Sequence, residues 1–204
     1  MLNNKARIAV LVSGGGTNLQ ALIDAEKSGI IKSGKIVLVI SSKADAYALT
    51  RAKNAGIDVA IVARKECKDT KEFESKITDK LGEYGIDLII LAGFMSVLSA
   101  EFVKRYPERI INVHPSLIPS FCGDGFYGLR VHEAALEYGV KVSGATVHFV
   151  NEVTDGGKII AQKAVEVKDG DTPEKLQKRI MEEAEWLLLP RAAELISKSI
   201  KEQR

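Results

Sequence analysis

Three short stretches hold residue types that could do chemistry together. Ile110-Ile111-Asn112-Val113-His114-Pro115-Ser116 is an apolar run that ends in polar residues. Asn112 and His114 are two apart, so on an extended chain both side chains point to one face. An amide donor beside an imidazole suits an oxyanion developing in a reaction. Taken singly, an Asn or His at a strand end more often satisfies backbone groups. Asn151-Glu152-Val153-Thr154-Asp155-Gly156-Gly157 places a carboxylate before two glycines; on its own, Asp-Gly reads as a turn. Val12-Ser13-Gly14-Gly15-Gly16-Thr17-Asn18 is the third stretch. Glycines let a ligand approach the backbone, and a helix start offers unpaired N–H groups and a positive dipole end. Together they suit a phosphate, although the glycines could equally serve only to make a tight turn.

The type of phosphate ligand can be narrowed. After Gly14-x-Gly16 the third glycine position of a dinucleotide fingerprint is Leu19. The second strand ends Ile40-Ser41-Ser42-Lys43, with no acid for a ribose 2′-hydroxyl. There is no GxxxxGK[ST] loop. A phosphorylated ligand smaller than NAD, and not ATP, remains.

These stretches need elements to hold them. Ala6–Val12, Lys35–Ile40, Asp58–Val62, Asp87–Ala92 and Arg109–Val113 are short, almost continuously apolar runs, as buried parallel strands should be. Between them Thr17–Ser28, Ala44–Asn54, Asp69–Tyr84 and Ser99–Tyr106 have helical spacing. Asp69 is placed to cap its helix, and Gly29, Gly56 and Gly85 fall where helices stop. Residues 114–130 lack a period and read as a long functional loop. A short helix, Val131–Tyr138, follows. Lys141–Val150 and Lys158–Val167 are joined by a short connection, which makes them antiparallel. Thr172 and Pro173 open a last helix to about Lys198, which Pro190 should kink or break. The expected fold class is therefore α/β: an open, mainly parallel twisted sheet, helices on both faces, and an antiparallel C-terminal strand pair. With no repeat or linker, residues 1–204 are expected to form one domain.

Composition excludes several classes. The hydrophobic share is 46% and the charged share 27%, as in ordinary globular proteins. Twenty-nine Lys and Arg against 27 Asp and Glu leave a net charge of +2, which argues against a dedicated nucleic-acid binder. The N-terminal apolar run, Ile8 to Val12, is too short for a signal sequence or a membrane span, so the expected location is cytoplasmic. Cys67 and Cys122 are the only cysteines and make no CxxC pair, in keeping with a reducing compartment. Cys122 has no cationic neighbour in view to make it a nucleophile. Nothing calls for a metal.

Taken together, SGGGTN, LAGFM, NVHPSLIPS and VHFVNEVTDGG resemble the folate-dependent formyltransferases, in particular the branch acting on glycinamide ribonucleotide. The resemblance covers essentially the whole chain and implies a Rossmann-like fold. It implies transfer of the formyl group of 10-formyltetrahydrofolate, a co-substrate, to the amine of glycinamide ribonucleotide in purine synthesis. Asn112 and His114 then match an oxyanion-stabilising pair. Asp155 matches the carboxylate that pairs with His114, favours its imidazolium and assists proton transfer. His148 would orient Asp155. Gly15, Gly16, Thr17 and Asn18 match the phosphate site, and Glu185 a carboxylate that receives ribose hydroxyls. Phe94, Met95, Ser96, Val97 and Leu98, with Asn151 and Glu152, match the folate pocket. Family members often carry Arg where this chain has Ser96 and an apolar residue where it has Thr154, and many have a shorter 122–128 loop. The related tRNA formyltransferases and deformylases carry an added domain that 204 residues do not accommodate. The implied partners are small molecules, without nucleic acid or membrane, and a homodimer is compatible with them.

Overall fold

The computed structural model describes residues 5–203; residues 1–4 and 204, the ends of the expected domain, lie outside the described residues. Seven strands form one sheet: β1 (Ala6–Val12), β2 (Gly34–Ser41), β3 (Asp58–Ile61), β4 (Leu88–Leu91), β5 (Ile110–His114), β6 (Val142–Phe149) and β7 (Ile159–Glu166). The order is β3-β2-β1-β4-β5-β6-β7. Pairings from β3 through β5 are parallel, and β5-β6 and β6-β7 are antiparallel. After β1 the chain builds outward through β2 and β3, then returns to place β4 on the other side of β1. Loops leaving β1 and β4 therefore diverge at their carboxyl ends and open a crevice between them, the place where such sheets bind ligands.

The alternation of side chains sorts the strands into two cores. Ile8, Val10, Val12, Leu88, Ile90, Ile111 and Val113 face one apolar layer with α1 (Thr17–Lys27), α2 (Tyr47–Asn54) and α6 (Pro173–Ile180). The last helix, α7 (Trp186–Glu202), packs there too. Ala9, Leu11, Ile89, Leu91 and Ile110 face the other layer, with α3 (Thr70–Glu83) and α4 (Ala100–Lys104). Helix α5 (Leu129–Tyr138) follows the long loop after β5 and packs against α6. Asn112 and His114 share the parity of Ile110 and therefore look toward the second layer, where the apolar packing stops.

Helix ends follow the expected chemistry. Asp69 accepts from the Glu72 N–H and Thr172 from the Lys175 N–H. Several boundaries shift. Helix α2 starts at Tyr47 rather than Ala44, and α4 is shorter than its pattern. The last helix extends to Glu202 and runs through Pro190 without breaking. The distortion falls in the turn before it. Residues Met181–Glu185 take a π form, with the Trp186 N–H reaching back to the Met181 carbonyl. A π turn holds an extra residue and rotates the side chains around it; Glu185, its last residue, ends up buried.

One fold-level expectation follows. Ile111 is fully buried in the first apolar layer, paired with Ile90 of β4 and Phe149 of β6, on the strand that carries Asn112. Ile111→Ala should cost about 2–5 kcal/mol of stability, read as a lowered midpoint in urea unfolding.

Candidate active site

One cavity of about 660 Å³ occupies the crevice, and three segments meet in it. Asn112 and His114 from β5 and His148 from β6 line its floor, and Asp155 closes over them. Antiparallel register sets His148 directly opposite Asn112 and Thr146 opposite His114. The amide and both imidazoles therefore emerge on one face of the sheet. Asp155 is in the left-handed region, φ 54, a strained conformation that Asp tolerates better than most residues. Gly157 permits the close return of its loop, because a Cβ there would overlap the Phe149 carbonyl.

The carboxylate sits between the rings. Asp155 Oδ2 lies 3.4 Å from His114 Nδ1, and Oδ1 lies 3.6 Å from His148 Nε2. The Gly123 N–H donates to Oδ2 at 2.9 Å. Burial alone would raise the Asp155 pKa; the His148 contact, the Gly123 amide and the nearby ring charges outweigh it and hold the carboxyl below its ordinary value.

Carbonyl acceptors fix the tautomers. His114 Nε2 lies 2.8 Å from the Phe121 carbonyl and must donate to it. His148 Nδ1 likewise donates to the Phe149 carbonyl at 2.8 Å. With Nδ1 donating, His148 Nε2 can accept from Asn112 Nδ2, 3.2 Å away, which engages one of the two amide hydrogens of Asn112 and leaves the other for a ligand. The expected imidazolium at His114 meets an opposing effect. Burial pushes its pKa below the ordinary value, while the Phe121 carbonyl and the Asp155 charge pull it up and His148 pushes it down. The net direction is downward, toward the neutral ring. Its Nδ1 lone pair then faces a carboxylate oxygen, and a proton delivered between them would satisfy both.

The second segment is the glycine turn. Thr17 and Asn18 line the cavity together with Glu185, while Gly15 and Gly16 stand just beyond its edge. Asn18 Nδ2 donates to Glu185 Oε2 at 2.6 Å, and Asn18 Oδ1 is buried without a partner. Burial pushes the Glu185 pKa up to about 7, with the Asn18 bond opposing it. This corner has spare capacity for hydroxyl ligands. Gly16 adopts φ 73, and a Cβ on it would come within 2.6 Å of the Ala48 Cβ. Its side-chain direction is thus filled by α2 rather than held open for a ligand. A Cβ on Gly15 meets nothing within 4 Å.

The third segment follows β4. Met95 and Val97 are exposed to the cavity, whereas Phe94 and Leu98 are half-buried against the second core, Phe94 stacked on Phe73. Ser96 lies between them on the cavity wall. Ser13 ties this wall to β1: its Oγ accepts from the Met95 N–H at 2.9 Å and contacts Ser42 Oγ at 2.6 Å. Sequence reasoning passed over Ser13 because a lone Ser before glycines reads as part of their turn. Asn151 turns back on its own loop, accepting from the Val153 N–H, and Glu152 is exposed on the rim. The long loop also reaches the cavity, through Gly123 to Gly128. Cys122 beside it bonds the Pro119 carbonyl, and burial with the Asp155 charge pushes its thiol pKa up, away from nucleophilic character. His132 on α5 carried no signal in the sequence. It is fully buried, neither ring nitrogen has a hydrogen-bond partner among the described residues, and burial with the nearby His114 pushes its pKa down to about 4. Among the described residues no helix is long and apolar enough to cross a membrane, and no cluster of three metal-ligating side chains forms.

The doubly wound sheet thus brings a buried carboxylate, two imidazoles and an amide together in the crevice at its carboxyl end. The chain belongs to the formyl transferase family, which its residues 6–192 match. It is 45% identical over 184 residues to the phosphoribosylglycinamide formyltransferase of Haemophilus influenzae, covering 90% of this chain and 84% of that one. The trifunctional purine biosynthetic protein adenosine-3 of Homo sapiens is 47% identical over 193 residues. This chain spans only about a fifth of such trifunctional relatives. Glycinamide ribonucleotide transformylase 1 of Symbiobacterium toebii superposes with a TM-score of 0.89 at 43% identity, covering 96% of this chain and 89% of that one.

The Asp155 charge supports protonation of His114 against burial. Asp155→Asn should lower the His114 pKa further below about 6.5, the model-peptide value. NMR titration of the ring resonances reads this directly; an unmoved curve would show that the two groups are not coupled.

Proposed function

We propose that this chain transfers the formyl group of 10-formyltetrahydrofolate to the amine of glycinamide ribonucleotide, a step of purine biosynthesis. The observation that carries the reading is the convergence of three segments on one cavity. The glycine turn and Glu185 stand at one side, the apolar wall after β4 at another, and Asn112, His114 and Asp155 between them. The named homologues support both the acceptor and the reaction.

Each segment then has a task. Amides at Gly15, Gly16, Thr17 and Asn18 take the phosphate, and Glu185 takes ribose hydroxyls. Met95 and Val97 offer apolar surface to a folate ring, with Phe94 and Leu98 stiffening the wall from behind. Ser96 supplies a hydroxyl there, and Asn151 and Glu152 shape the opposite rim. The neutral amine of the acceptor attacks the formyl carbon, and the carbonyl oxygen becomes an oxyanion. The free N–H of Asn112 donates to it, and His114 becomes a better proton acceptor as that charge grows. Asp155 accepts the Nδ1–H of the resulting imidazolium. The proton His114 takes up is the one lost by the attacking amine, and it passes on to N10 of the folate as the C–N10 bond breaks, which restores the neutral ring and releases tetrahydrofolate. The same reading takes residues 1–204 as one cytoplasmic formyltransferase unit with these two small molecules as its partners.

The direct test is tetrahydrofolate formation with and without glycinamide ribonucleotide. Acceptor-dependent turnover supports transfer; equal turnover without acceptor would mean hydrolysis instead. Asn112→Ala removes one oxyanion donor and should lower kcat about 10²–10³-fold with little change in KM. Near-normal kcat would remove Asn112 from the chemistry.

Substitution at Gly15 separates the phosphate from the chemistry. Gly15→Val adds a side chain in open space and should leave folding intact. A fall in kcat/KM for the phosphorylated acceptor, with folate binding unchanged, is expected in steady-state kinetics. Equal harm to a dephosphorylated acceptor would place the phosphate elsewhere.

A further inference from the structure

The glycine turn is gripped from one side by helix α2. The Ala48 N–H donates to the Gly14 carbonyl at 3.1 Å, and Arg51 Nε donates to the Gly15 carbonyl at 2.9 Å. Two successive carbonyls are therefore drawn toward the same helix. In a planar trans peptide the N–H points opposite to the C=O. The carbonyl of Gly14 shares its peptide with the Gly15 N–H, and that of Gly15 with the Gly16 N–H. Both amides consequently turn away from α2, and neither has an acceptor among the described residues. The space beside Gly14 and Gly15 is open.

Arg51 is itself held. Its Nη1 donates to Gln20 Oε1 at 3.2 Å, and its guanidinium carbon lies 5.0 Å from the centroid of the Tyr47 ring. Gln20 stands on the first turn of α1, so Arg51 spans from the turn to the helix that the turn opens. A planar fork with fixed donor directions can make both bonds at once; a lysine ammonium cannot reproduce that geometry. The carbonyl of Gly15 would otherwise be free to rotate with its peptide, because glycine resists little.

We propose that Arg51 is a positioning residue for the acceptor's phosphate: by holding the Gly15 carbonyl it keeps the Gly16 N–H turned out as a phosphate donor. The proposal rests on the reading of the turn as the phosphate site. It predicts an effect confined to the phosphate. The folate wall and the Asn112, His114 and Asp155 cluster touch neither Arg51 nor Gln20, so chemistry on an already bound amine should be spared.

The test uses the full chain with Arg51→Gln and Arg51→Lys, and inorganic phosphate as a competitor of the acceptor. In both variants KM for the phosphorylated acceptor and the inhibition constant of inorganic phosphate should rise about tenfold, the scale of one lost hydrogen bond to a charged group. KM for the formyl-folate, and kcat/KM for a dephosphorylated acceptor, should stay at parent values. Parent-like phosphate inhibition in Arg51→Lys would show that charge alone matters and overturn the proposal. Equal loss for both acceptors would make Arg51 a structural residue and overturn it as well. Failure of phosphate to compete in the parent protein would overturn the phosphate site itself, and the proposal with it. If neither variant folds, Gln20→Ala removes the support of Nη1 and should weaken phosphate inhibition by a smaller factor; an unchanged constant there would overturn the proposal.

Discussion

A carboxylate can stay ionised inside a protein only when polar partners replace the water it loses, and Asp155 draws its partners from separate parts of the chain. His114 comes from β5, His148 from β6 and the Gly123 amide from the loop before α5. Of these only His148 is near Asp155 in sequence. The loop after β5 must therefore fold back over the strand it leaves, and the β6–β7 connection must close over the same face. Phe121 and Asp155 both sit at positive φ, 50 and 54, and both touch the His114 ring. Backbone strain of this kind persists where surrounding contacts over-determine it. Here the contacts are the ones that hold the charge.

A second buried carboxylate shows the opposite solution. Glu185 receives one side-chain donor, from Asn18, and its pKa rises to about 7. Asp155 lies between two imidazoles and accepts from the Gly123 amide, and its pKa stays below its ordinary value. Two acids in one cavity are thus driven apart by their surroundings. The difference fits the tasks proposed for them: Asp155 to support a cation during proton transfer, and Glu185 to exchange hydrogen bonds with neutral hydroxyls. Near neutral pH Glu185 can accept or donate without the cost of a fully buried charge.

The sheet and the polar cluster were legible in different ways. Strand alternation, helix caps and the antiparallel pair follow from local patterns, and they stand in the fold with boundaries shifted by a few residues. Asn112 and His114 were legible as a pair because a strand fixes their relative direction. Their meeting with Asp155 depended on the family resemblance, since nothing local brings residue 155 to residue 114. The π turn at Met181–Glu185 was not legible. Pro190 announced a distortion, but the distorted residues lie before Trp186, the position whose carbonyl the ring of Pro190 crowds. The role of α2 beneath the glycine turn was hidden for a similar reason. Gly16 reads as space for a ligand, whereas the side-chain direction it leaves open is occupied by Ala48.

The direction of β6 explains why the cluster is compact. A parallel neighbour to β5 would require a crossover, and its side chains would be set by evenly spaced, slanted bonds. The antiparallel strand instead places His148 directly across from Asn112. That pairing brings an imidazole within reach of the amide without any loop reaching in. It also sets both histidines on the face that the second apolar core leaves uncovered near β5. The connection from β6 to β7 then needs only a short excursion to lay Asp155 over the two rings. One change of strand direction thus supplies the rigid floor and leaves a loop to provide the charge, which separates what must be fixed before substrates arrive from what must accommodate them.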